Sequence, residues 1–108
     1  MTPDDIMAVV QTEIHEGWDA NEPRANPHGI DLDRCLLSRP VRRTYLDSFN
    51  DNRPMEMWLV LEEDPDGHGG YEVVFDEARR EFGLATSDKH RPVFIGYYGS
   101  FRETLAGM

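Results

Sequence analysis

The sequence predicts a single α+β domain in which an antiparallel meander of about five strands lies between an N-terminal helix and a short C-terminal helix. Three observations lead there. The first residues carry a helix start signal followed by an apolar stripe, the middle of the chain alternates short apolar runs with Gly/Asp/Pro-rich turns, and the last nine residues open on a capping motif.

The first helix is expected from about Pro3 to Glu16. Thr2 stands at the N-cap, Pro3 at the first helical position and Asp5 three residues after the cap, which together make a capping box. Ile6, Val9, Val10 and Ile14 recur at helical spacing and form one stripe, and Gly17 ends the run. Residues 18–33 show no sustained period and contain Pro23, Pro27 and Gly29, so they read as a long loop, a kind of segment that often carries function. Cys35-Leu36-Leu37 and Val41 to Leu46 read as one strand interrupted at Pro40, whose missing N–H places it at an edge or a bulge. Met55 to Glu63 is the clearest strand. Its centre is apolar at every position, so both faces should be covered, with Met57, Leu59 and Leu61 facing one layer and Trp58 and Val60 the other. Residues 64–70 form a turn, after which Tyr71, Val73 and Phe75 alternate with Glu72 and Asp76 to complete a hairpin. Asp76 to Arg80 turns the chain, Phe82 to Thr86 is a short strand, Ser87 to Arg91 a polar loop and Val93 to Tyr98 the last strand. Ser100-Phe101-Arg102-Glu103 is an S-x-x-E capping box that starts the C-terminal helix.

Composition narrows the functions. A chain of 108 residues with 39% hydrophobic and 30% charged residues suits one soluble core, and its longest apolar run is far too short for a membrane span. The opening Met1-Thr2-Pro3-Asp4-Asp5 has no basic stretch and no cleavage site, so the expected address is the cytoplasm. The single cysteine, Cys35, excludes an internal disulfide and suits a reducing compartment. Against 21 acidic residues there are 11 basic ones, a net charge of −10 that repels nucleic acid and anionic lipid and suits either a basic protein partner or simply a solvated surface.

No catalytic constellation stands out. The acidic run Glu62-Glu63-Asp64-Pro65-Asp66-Gly67 imitates the start of an EF-hand loop, but its twelfth position is Val73, where a bidentate Glu is needed, so a solvated turn is expected. His15, His28, His68 and His90 lie in separate segments without metal-site spacing, and no phosphate-binding, nucleophile-elbow or metalloprotease motif is present. Neither a metal nor another cofactor is expected. Cys35, beside Leu36 and Leu37, reads as a buried thiol. The long loop gathers most of the recognition chemistry, with Trp18, Asn26, His28 and Asp31 as candidate ligand-binding residues, although Asn26-Pro27-His28-Gly29 reads first as turn-building, with Trp18 anchoring the loop to the core. Arg39, Arg42 and Arg43 form a cationic patch on the Pro-interrupted strand, and Arg43 joins the candidates. Such a patch either guards an exposed strand edge or meets an acidic ligand, and it permits a homodimer without requiring one.

His28-Gly29-Ile30-Asp31-Leu32 followed by Cys35-Leu36, with Phe82-Gly83-Leu84-Ala85 and the ending Gly96-Tyr97-Tyr98-Gly99-Ser100-Phe101, resembles a group of short bacterial proteins of unassigned function. The resemblance spans most of the chain. It implies a small standalone bacterial cytoplasmic protein and brings no site residues with it.

The functional expectation is a non-enzymatic binding module for a protein partner, acting as immunity proteins do by analogy when an acidic chain neutralises a basic one. The alternative is a small-molecule-binding protein or enzyme using a pocket between the 18–33 loop and the sheet, lined by His28, Asp31 and Trp18.

Overall fold

The computed structural model describes residues 1–19, 21–66, 69–86 and 91–108. Helix α1 spans Pro3–Gly17, α2 Leu32–Cys35 and α3 Phe101–Ala106, around strands β1 Leu36–Asp47, β2 Arg53–Glu62, β3 Tyr71–Asp76, β4 Glu81–Thr86 and β5 Val93–Gly99. The strands follow the meander order, each antiparallel to the next, and the sheet closes on itself where β1 meets β5. That closing contact is parallel and short, confined to Leu46 beside Val93 and Asp47 beside Phe94.

Closure demands stagger. Passing around the sheet, Val41 pairs with Leu59, Leu59 with Val74, Val74 with Gly83 and Gly83 with Tyr97. The direct contact instead sets Leu46 beside Val93, so the two routes between β1 and β5 disagree by several residues, as the shear of a small tilted barrel requires. Irregular pairing accommodates the curvature: the β1–β2 register shifts between Leu36 and Val41, around Pro40, and the β2–β3 register shifts at Val60. Among the strand glycines Gly83 allows the tightest approach, because a Cβ there would lie 2.4 Å from the Gly96 carbonyl oxygen and 2.8 Å from the Phe94 ring.

Two apolar layers result. Tyr45, Met57, Leu59, Val74, Ala85 and Phe94 fill the barrel interior. The outer face of the sheet presents Val60, Leu61, Val73, Phe75, Phe82 and Leu84, which are covered by Ile6, Val10 and Ile14 of α1 and by Phe101 and Leu105 of α3. The expected assignment of Leu61 to the layer of Met57 and Leu59 is therefore corrected, since the shift at Val60 turns Leu61 to the helices.

The helices begin as their sequences dictate. In α1 the Thr2 hydroxyl accepts from the Asp5 N–H and the Asp5 carboxylate from the Thr2 N–H. Gly17 remains within the helix, and its missing side chain leaves room for Arg102. Of the predicted stripe, Val9 lies outside the buried set and is 39% exposed. In α3 the Ser100 hydroxyl accepts from the Glu103 N–H, while Glu13 of α1 accepts the N–H groups of Phe101 and Arg102 at 3.1 Å each. One helix thus caps another, which fixes their crossing. No helix among the described residues is long and apolar enough to cross a membrane.

Candidate functional site

The 18–33 loop is built by its own side chains. Asn26 sits at its centre: its Oδ1 accepts from the Ile30 N–H at 2.9 Å and its Nδ2 donates to the Ile30 carbonyl at 2.7 Å. This clamp closes around Gly29, whose φ of +64° favours a residue without Cβ. Asp31 caps α2 by accepting from the Asp33 N–H and meets the Arg24 guanidinium at 3.5 Å. The predicted start of the first strand at Cys35 is corrected accordingly, because the Cys35 N–H donates to the Asp31 carbonyl in that helical turn. The His28 Nε2 lies 2.9 Å from the Ala106 carbonyl oxygen. A carbonyl only accepts, so Nε2 carries the proton, and the contact ties the loop to the end of α3.

Trp18 is the exception among the loop candidates. Its backbone caps α1 and its ring lies edge-on to Phe101 at 6.3 Å between centroids. It walls a cleft of about 130 Å³ between the last turns of α1, the loop and the start of β1. Ile14, Pro23, Leu32 and Leu36 make the apolar walls, and Gln11, His15, Asp19, Glu22 and Asp33 supply the polar lining. Asn26, His28 and Asp31 are absent from it. The Asp33 carboxylate has no partner among the described residues, whereas those of Asp19 and Glu22 accept only loop N–H groups. Trp18 also borders a more open concavity with Pro27, Ser100, Arg102, Glu103 and Ala106.

Arg43 stands apart from the loop. From β1 it donates to the Glu72 Oε2 at 3.0 Å, while the Tyr45 hydroxyl donates to the Glu72 Oε1 at 2.6 Å. Glu72 is 2% exposed, and burial raises its pKa against the opposing hydrogen bonds from Tyr45 and Arg43. Burial likewise pushes the Tyr45 hydroxyl far up. Asp76, two pleats along β3, accepts from the Tyr97 hydroxyl, and Arg79 lies 4.1 Å over the Tyr97 ring. A tyrosine, a carboxylate and an arginine therefore come together at two levels of β3.

The alternation of Tyr71, Val73 and Phe75 with Glu72 and Asp76 left this network hidden. It distinguishes two faces of β3, but not that the polar face turns into the barrel; only Arg43 and Tyr45, about thirty positions away, reveal that. Cys35 is buried as expected, its Sγ 3.5 Å from the Glu63 carbonyl oxygen, and burial raises the thiol pKa. In the acidic run, Glu63 accepts from the Tyr71 N–H at 3.0 Å and Asp66 pairs with Arg34, while Gly67 lies outside the described residues. His68, His90 and the expected loop at residues 87–90 lie outside the described residues. Among the described residues no three His, Cys, Asp or Glu side chains converge in a way that could hold a metal. Comparison of the chain with protein-family models, with curated proteins and with solved structures returned no match.

Proposed function

We propose that the domain is a protein-binding module that receives a cationic side chain of a basic partner in the Trp18 cleft. The observation that carries this reading is the cleft itself: an aromatic wall beside the carboxylates of Asp19, Glu22 and Asp33, in a space of about 130 Å³. That volume falls below the ~300 Å³ at which pockets for small metabolites begin, and it suits one inserted side chain. A lysine or arginine there gains carboxylate partners and a π-face together. The net charge of −10 adds long-range attraction for a basic surface. The small-molecule alternative has less support, since the His28 imidazole and the Asp31 carboxylate make contacts within the protein and do not line the cleft.

The test is a titration with a lysine-bearing peptide and with the same peptide acetylated at its lysines, followed through the two indole N–H signals by NMR. The Trp18 signal should move with the first peptide only, less so as salt is raised, and not at all in a D19N/E22Q/D33N variant. Equal shifts with both peptides, or none with either, would remove the proposal.

A further inference from the structure

The turn between β1 and β2 holds Phe49 out into solvent. It is 73% exposed, well beyond any other large apolar side chain among the described residues. The backbone beneath it is well tied. The Asp47 carboxylate accepts from the Phe49 N–H at 3.0 Å and from the Asn50 side chain at 2.7 Å, and the Arg53 N–H donates to the Asn50 carbonyl at 3.1 Å. Asp51 and Asn52 sit at φ +55° and +57°, the left-handed pair that a type I′ hairpin turn uses and that Gly or Asn usually fills. An aromatic ring displayed on a fixed turn loses little freedom on docking, which is the property of an interface anchor.

A complementary surface exists on the same chain. Between α1 and the β3–β4 hairpin runs a groove of about 390 Å³ with apolar walls from Val9, Phe75 and Phe82. Val9, which fell outside the buried stripe of α1, is exposed along it. Arg80 lies on its rim and forms no ion pair with the described residues, and the Asp51 carboxylate beside Phe49 is equally unpaired among them. The tip offers a ring with an anion; the groove offers apolar walls, the carboxylates of Glu13 and Glu81, already paired with Arg102 and Arg79, and the uncommitted cation of Arg80.

We infer that Phe49 of one copy docks into the Val9–Phe75–Phe82 groove of a second copy, with Asp51 set against Arg80. Because knob and groove occupy different parts of the surface, the contact is heterologous and each copy can both give and receive. Two chains of charge −10 repel, so this association strengthens as salt rises to physiological levels. The Trp18 cleft responds to salt in the opposite direction, which keeps the two proposals separable.

Sedimentation velocity over a concentration series decides it. The wild-type chain should form dimers and larger species. F49S and V9E should each stay monomeric with unchanged far-UV circular dichroism, and the surface variant R80E should weaken assembly without touching the core. An equal mixture of F49S and V9E should recover a one-to-one dimer and nothing larger, since each brings one intact face. A wild-type chain that is monomeric up to about 1 mM, where only contacts weaker than about 4 kcal/mol would escape notice, overturns the inference. So does F49S assembling like wild type, or a mixture that stays monomeric.

Discussion

Single residues in this protein take roles that their type suggests only in part. Asn26 and Asp31 carry the polar groups of a binding loop, yet their side chains are spent on the loop's own backbone. The turn-building use of Asn26 was legible in Asn26-Pro27-His28-Gly29; its particular partner at Ile30 was not, because that depends on which N–H and C=O groups the fold leaves unpaired. Cys35 shows the opposite case, in which a thiol between apolar neighbours is buried at 5% exposure as its context suggests. Its raised pKa keeps it protonated at neutral pH, and the thiolate is the reacting species. Iodoacetamide should therefore leave Cys35 unmodified in the native protein and label it fully in urea, as read by intact mass; rapid labelling of the native chain would show the site to be open.

Elements were more legible than residues. The caps at Thr2 and Ser100 and the apolar run of β2 lie within a few positions of what they control, so the helices and strands follow from local sequence. The facing of β2 did not, because the irregularity at Val60 comes from curvature of the closed sheet. Leu59 lies in the barrel interior, and its truncation to Ala should cost about 2–5 kcal/mol through lost transfer energy and a residual cavity. Glu63, although in the adjoining turn, accepts the Tyr71 N–H and is a poor neutral control. The exposed Glu16 of α1 serves better, and Glu16→Ala should stay within about 0.5 kcal/mol. Urea melts of the two variants measure the contrast; similar midpoints would mean that β2 does not form the barrel wall.

At the scale of the whole molecule, closure has an electrostatic consequence. Turning the polar face of β3 inward buries Glu72 between Tyr45 and Arg43. A carboxyl whose pKa is raised on folding favours the folded state relative to its charged form, so its contribution is complete below the ordinary glutamate pKa and is lost as pH rises through the raised value. Compared with Glu72→Gln, the wild type should lose stability over that window and then run parallel to the variant at higher pH. Denaturation midpoints of both proteins at a series of pH values give the difference directly. An opposite slope would mean that Arg43 and Tyr45 outweigh burial and hold Glu72 ionised.

The sequence by itself determined the helix–meander–helix order, the caps, the strand irregularity at Pro40 and the acidic charge, since each of these is written in neighbouring residues or in composition. Only the tertiary structure decided that the meander closes through Leu46 and Val93, that Glu72 faces inward, and that Trp18 meets Asp19, Glu22 and Asp33 around one cleft. The first two join residues separated by long stretches of chain, and the third depends on how the 18–33 segment folds back against α1 and the start of β1. Periodicity says which faces are apolar, but the partner of a face is set by stagger and packing between strands, and no local pattern encodes it.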